Sequence, residues 1–278
     1  MKAMNNKKIS IIIPNWNGEN LLFNCLKSIY RINWPYYEII VVDNGSVDNS
    51  VDLVKQNFPQ AVLIENKKNL GFARACNQGA KIAQGEILFF LNSDTEIKNN
   101  IFEPIYNFFV NFDKVGIVSP CLILPDGSPQ PWAFLKKEGL LSFVLRKFEK
   151  QNFIIKDKPI EVDAVSGAAL AIRKNIFKQI GGFDERFFMY YEDNDICLRT
   201  KKRGYKVVYY PLVQVVHLQG GSLSNDYYRK KFYYQSQNYY WKKHFGLVGF
   251  LIRYFMALPF RCFTLLKLKK NLNRKKAC

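Results

Sequence analysis

The feature that most constrains this chain is a series of short, continuous apolar runs, each ending in polar residues and each followed by a helical pattern. Ile9 to Ile13 is a β-branched run ending at Pro14; Glu38 to Val42 and Ala61 to Ile64 are further strand-like runs; Ile87 to Leu91 runs into Asn92, Ser93 and Asp94. Between them, Glu19 to Tyr30 places Leu22, Cys25, Leu26 and Ile29 at helical spacing, a helix is expected after Ser46 as N-cap, and Phe72 to Ala83 reads as a third helix. Strands apolar on both faces and alternating with helices predict an α/β fold, a mostly parallel central sheet flanked by helices. Such sheets bind ligands beyond the carboxyl ends of their strands. Asn15 and Asn17, Asp43 and Asn44, and Asp94 all fall at those ends, so one nucleotide-sized ligand could touch them all.

The later chain is less regular. Pro120, Pro125, Pro129 and Pro131 predict that residues 115–165 loop over the site, with order returning at Val162 to Ile172, Ile196 to Lys202 and Lys206 to Tyr210. The 278 residues suit one large domain with a small appendage. We divide them into a catalytic domain, 1–224 (a nucleotide-binding half, 1–113, and an acceptor-binding half, 114–224), and a basic, aromatic, helical tail, 225–278. The formal net charge is +18, yet residues 227–278 hold thirteen Lys or Arg and no acid, so the body is nearly balanced. The six cysteines are scattered, which suggests neither a zinc site nor a disulfide framework. Lys7 and Lys8 run straight into a strand-like segment without an apolar leader, so a cytoplasmic location is expected.

Four segments resemble one family: "SIIIPNWNGENLLFNCLKSI", "EIIVVDNGSVDNS", "NLGFARACNQGAKIAQGEILFFLNSDTEI" and "GGFDERFFMYYEDNDICLRTKKRGYKVVYYPLVQVVHLQGGS". They span residues 10–222 in an order similar to that of the inverting glycosyltransferases of family 2, which have the GT-A (Rossmann-like) fold, and within it to the bacterial rhamnosyltransferase-like branch. The resemblance implies transfer of a sugar from a nucleotide diphosphate donor with help from a divalent metal, Mn²⁺ or Mg²⁺.

Residue by residue, Asp43 either closes a turn or accepts N3–H of a pyrimidine; the resemblance favours base recognition, with Pro14 and Asn15 lining the same pocket. Arg74 is either an exposed helix arginine or, near a helix N-terminus, a diphosphate ligand with Asn77 beside it. Asn92, Ser93 and Asp94 occupy the family's DxD position with Asn in place of the first Asp, leaving Asp94 as the anionic metal ligand there. His217, Gly220 and Ser222 match the family's H-x-x-G-x-S element, which makes His217 the second metal ligand. Glu192, Asp193 and Asp195 are either helix-dipole partners or the family's acidic motif, whose second acid, Asp193, is then the general base. Glu192, Asp195, Arg199 and the small residue Gly167 are expected on the acceptor side.

Aromatic and basic residues fill the tail, and its longest charge-free apolar run is eight residues, too short to span a bilayer. It is expected to lie in the interface of an anionic membrane, on its inner face, or to pack on the body as a helical subdomain. The expected partners are a nucleotide-diphosphate sugar (dTDP-rhamnose first, a UDP-hexose or UDP-galactofuranose second) and a saccharide or polyprenyl-linked acceptor. Nucleic-acid binding rests only on the tail's charge and leaves the acids at strand ends without a role, so no nucleic acid is expected.

Overall fold

A computed structural model describes residues 8–131, 133–135, 158–218 and 226–276. Strands β1 (Ile9–Asn15), β2 (Tyr37–Asp43), β3 (Val62–Glu65) and β4 (Ile87–Leu91) pair in parallel in the order β3-β2-β1-β4. Helices α1 (Glu19–Tyr30), α2 (Ser50–Asn57) and α3 (Phe72–Ile82) connect them. The expected strand–helix alternation is present throughout this half.

Side chains of β1 alternate between two cores. Ile9, Ile11 and Ile13 pack with Leu22, Cys25, Leu26 and Ile29 of α1. Ile12 faces the other side, with Ala73, Cys76 and Ala80 of α3. A fully buried aliphatic side chain contributes about 1.5–3 kcal/mol, so these two layers fix how the first strand sits. The α3–β1 contact needs Gly79: a Cβ there would lie 2.5 Å from Ile12 Cγ2.

Two expectations are corrected here. Ser46 does not cap α2, which begins at Ser50; its hydroxyl instead donates to Asp43 Oδ1 at 2.6 Å, and Asp48 accepts from Ser50 N at 3.1 Å. Residues 115–165 are not simply a loop over the site. After α4 (Phe102–Asn111), which the sequence reading missed, β6 (Val115–Ile123) is a nine-residue strand buried at every position, Pro120 included. Prolines signalled a break, but burial on both faces prevails, and the irregularity appears as a register shift in the partner strand beyond Tyr210.

The sheet continues from β4 through β10 (Ala169–Arg173), antiparallel to both neighbours, to β6 and β11 (Lys206–His217), with β5 (Thr95–Glu96) and β8 (Ile160–Val162) paired on β11. β7 (Phe134–Leu135) pairs with β9 (Ala164–Val165). Helices α5 (Lys174–Gln179), α6 (Glu192–Lys202) and α7 (Asp226–Lys276) complete the chain. α7 is two helical segments meeting at Gly246, whose φ is +69°. Its first segment packs on the body, one of the two arrangements expected of the tail: Tyr240 and Trp241 are buried against Phe187, and Ser236 Oγ donates to the Met189 carbonyl at 2.7 Å. No helix among the described residues is long and apolar enough to cross a membrane.

Candidate active site

The cleft opens where the sheet-type rule places it, beyond the carboxyl ends of β1 and β4, and encloses about 390 Å³. Pro14, Asn15 and Asn44 line one part; Asn92, Ser93 and Asp94 line another, joined by His217; Gly167, Glu192 and Asp193 also line it.

Sheet register explains one convergence. β11 runs antiparallel to β5, pairing His217 with Thr95, and Leu218 N donates to the Asp94 carbonyl at 2.9 Å. This brings His217 Nε2 to 3.2 Å from Asp94 Oδ1, with both residues buried. His217 Nδ1 lies 2.7 Å from Gln130 Oε1, a residue the sequence reading passed over. An amide oxygen accepts, so Nδ1 faces Gln130 as a donor, and Nε2 is the ring nitrogen left facing the Asp94 carboxylate. A ring nitrogen and a carboxylate oxygen at that separation can share one proton or one metal ion. The pair therefore fits a divalent ion, with one nitrogen and one oxygen donor and the remaining positions open to diphosphate oxygens. No cluster of three or more His, Cys, Asp or Glu with metal-binding geometry occurs among the described residues. Gly220 and Ser222 lie outside the described residues.

The acidic pair is held by backbone. Tyr190 and Tyr191 both have positive φ, +70° and +67°, and Tyr191 is the N-cap of α6. For bulky residues this conformation costs of the order of 1–3 kcal/mol each. Packing sustains it: Tyr191 hydrogen-bonds to Gln237, its hydroxyl lies 3.3 Å from that of Tyr233, and Tyr190 meets the Tyr233 ring. The turn delivers Asp193 to the cleft, where Oδ2 accepts from Gly167 N at 3.1 Å and Oδ1 from Asn194 N at 2.8 Å. Burial pushes the Asp193 carboxyl above its ordinary value, and these amides offset part of the rise. Glu192 is pushed well above its own, first by burial and then by the charge of Asp193. Its Oε2 is buried without a hydrogen-bond partner among the described residues. Burial therefore weighs against a charge on both acids, and of the two it is the Asp193 carboxylate that has backbone amides on both oxygens.

Several expected ligands are committed elsewhere. Asp43 is 2% exposed and its carboxylate accepts from Asn15 Nδ2, Ser46 Oγ, Gly45 N and Ser46 N, which fills its four acceptor positions in a turn. It steadies Asn15 rather than facing the cleft. Asn17 is exposed and bridges two loops, accepting from Val47 N at 2.8 Å. Asn44 lines the cleft, but its amide binds the Gly71 carbonyl and Asn66. Arg74 pairs with Glu185 at 2.8 Å, both about half exposed, and does not line the cleft. Asn77 bonds Phe183 N and O, pinning the turn before the acids. That segment is held again at Gly71, where a Cβ would sit 2.6 Å from the Phe188 carbonyl.

Asp195 and Arg199, expected on the acceptor side, do not line the cleft. Asp195 is fully buried and accepts from Arg199 Nε at 2.7 Å, His244 Nε2 at 2.7 Å and Lys243 Nζ. Lys243 also reaches Asp184 at 2.7 Å. Burial raises the Asp195 carboxyl, but His244, Arg199 and Lys243 outweigh it and hold the group below its ordinary value.

Comparison with known proteins identifies the fold and the family. The model of glycosyl transferase family 2 matches residues 10–181, and that described as the N-terminal domain of galactosyltransferase matches 153–219. An N-acetylglucosaminyl-diphospho-decaprenol L-rhamnosyltransferase of Mycobacterium tuberculosis is 30% identical over 212 residues, 68% of each chain. A low-salt glycan biosynthesis hexosyltransferase of Haloferax volcanii is 28% identical over 76% of this chain and 67% of its own. Among solved structures, GalNAc-T7 with UDP, GalNAc and Mn²⁺ aligns with a TM-score of 0.64 at 18% identity, covering 86% of this chain and 50% of that one. A mannosyltransferase of Pyrobaculum calidifontis with GDP-Man and Mn²⁺ gives 0.61 at 19%, covering 98% and 75%. The fold is the GT-A fold, and the chain belongs to glycosyl transferase family 2.

Proposed function

We propose that this glycosyltransferase works with inversion, moving a sugar from a pyrimidine nucleotide diphosphate donor to a saccharide hydroxyl, with Asp193 as general base. The observation that carries the reading is geometric: Asp193 lines the cleft with its carboxylate held by the Gly167 and Asn194 amides, beside the buried Glu192. Asp193 would take the proton of the acceptor hydroxyl as its oxygen attacks the anomeric carbon from the side opposite the diphosphate. The Gly167 amide steadies the carboxylate without a charge that would weaken it as a base. Glu192 and Gly167 stand where the acceptor would sit; Pro14, Asn15, Asn44, Asn92 and Ser93 stand where the donor would.

Asp94 and His217 would hold Mn²⁺ or Mg²⁺, as the solved relatives hold Mn²⁺. Such an ion neutralises the charge that grows on a departing diphosphate. Gln130 keeps the His217 lone pair available for it.

The mycobacterial relative's name, an L-rhamnosyltransferase acting on a diphospho-decaprenol-linked sugar, supports rhamnose as the sugar and a lipid-linked saccharide as the acceptor; our first donor is dTDP-rhamnose, in synthesis of a cell-surface glycan. A UDP-hexose or UDP-galactofuranose is the second donor. The test is a donor screen: with Mn²⁺ present, dTDP-rhamnose should raise the melting temperature and release dTDP on acceptor addition. Stabilisation by UDP-sugars alone would move the assignment to the second donor class.

A further inference from the structure

The second segment of α7 carries an apolar face that no part of the described chain covers. Leu247, Leu251 and Phe255 form one row and Val248, Ile252 and Met256 the next, at the four-residue spacing of a helix face. All six are exposed, Val248 at 71% and Phe255 at 64%. The opposite face is the packed one: Phe250 touches the Phe187–Tyr240–Trp241 cluster, and Arg253 and Ala257 are buried. The helix is thus fixed by one face to the segment that carries the acids, and its free face is directed away from the body.

Charge selects the occupant. Residues 227–278 contain thirteen Lys or Arg and no Asp or Glu, and seven of the thirteen follow Met256. An apolar row flanked by cations, with no acid, is complementary to a surface that is apolar beneath and anionic on top. We infer that the face Leu247–Met256 inserts into the interface of an anionic lipid bilayer, while residues 226–245 remain packed on the catalytic body. The division at Gly246 gives each of the two arrangements expected of the tail its own segment. Helix geometry places the first inserted residue roughly 27 Å along α7 from Arg229, which lines the cleft, so insertion would hold the cleft near the surface that bears a lipid-linked acceptor. This deepens the proposed acceptor class and rests on it only for its purpose, not for the binding itself.

The test uses the full chain with phosphatidylcholine vesicles containing phosphatidylglycerol, and with pure phosphatidylcholine vesicles. Wild type should co-sediment with the anionic vesicles and be released by high salt, and Leu251→Glu with Phe255→Glu should weaken binding about tenfold or more. Both substituted side chains are exposed and outside the cleft, so the variant should keep wild-type donor hydrolysis, which reads the glycosyltransferase proposal separately. Failure of wild type to bind anionic vesicles, or equal binding by the variant, overturns the inference. So does a wild-type dimer by light scattering that the variant converts to a monomer while vesicle binding is unchanged, since a second copy would then cover the face.

Discussion

Lys243→Met removes one cation from a buried ion cluster and keeps the length of the side chain. Lys243 touches Asp184 and the fully buried Asp195. Hydrogen bonds to charged groups contribute about 1.5–3 kcal/mol each, and breaking a buried ion pair costs about 3–5 kcal/mol. Arg199 and His244 remain on Asp195, and Arg186 and Tyr239 on Asp184, so the lower end applies: about 3 kcal/mol at neutral pH. Chemical denaturation reads this as a lower midpoint at constant slope. The pH dependence makes the test sharper. Asp184 and Asp195 are both held below their ordinary values, so their contribution is present above the unfolded carboxylate value, near pH 3.9, and is lost as pH falls through the folded values. The difference between wild type and variant should therefore be full at pH 6–7 and shrink at acid pH below that value. A difference under about 0.5 kcal/mol at neutral pH would mean that α7 is not bound to the acid-bearing segment through these groups.

Three further outcomes follow from the site. Arg74→Ala should leave the donor KM within about twofold, because an exposed ion pair is worth about 0–1 kcal/mol; a tenfold rise would return Arg74 to the diphosphate. Gln130→Ala should weaken Mn²⁺ binding about 10–100-fold in a titration followed by electron paramagnetic resonance, since the His217 tautomer is no longer fixed; unchanged affinity would count against the Asp94–His217 site. Glu192→Gln should become more stable relative to wild type as pH rises above about 4.3, because a raised folded value makes the wild-type contribution one that is lost with increasing pH; a pH-independent difference would mean that Glu192 is ionised in the fold.

The nucleotide-binding half was legible because its signals are local. Apolar runs gave β1 to β4 to within two residues at each end, and helical spacing gave α1 at its observed bounds. Asn15, Asn44 and Asp94 were legible as cleft residues for the same reason, since topology places strand ends at the cleft. Orientation was not. Asp43, Arg74 and Asn77 have ligand-like chemistry, but each meets a nearer partner that only the folded chain supplies: Ser46, Glu185 and the Phe183 backbone. β6 was obscured by Pro120, because sheet burial at that position overrides a local breaker. Gln130 carried no signal at all; its role exists only because β11 returns His217 to the same place. In the tail, the aromatic and basic residues before Gly246 resembled a membrane helix and turned out to pack inward, where Tyr233, Tyr240 and Lys243 hold the acid-bearing turn.

The central claim is that Asp193 alone carries the base. The most direct measurement compares Asp193→Asn with Glu192→Gln in single-turnover transfer, with donor binding followed by thermal shift on the same samples. An asparagine can accept from the Gly167 or the Asn194 amide but has no proton-accepting oxygen, so Asp193→Asn should bind donor like wild type and lose about 10²–10⁴-fold in transfer. Glu192→Gln, which leaves the Asp193 carboxylate and its amide donors in place, should retain transfer within about tenfold. Near-normal transfer by Asp193→Asn, or a larger loss in Glu192→Gln than in Asp193→Asn, would contradict the assignment.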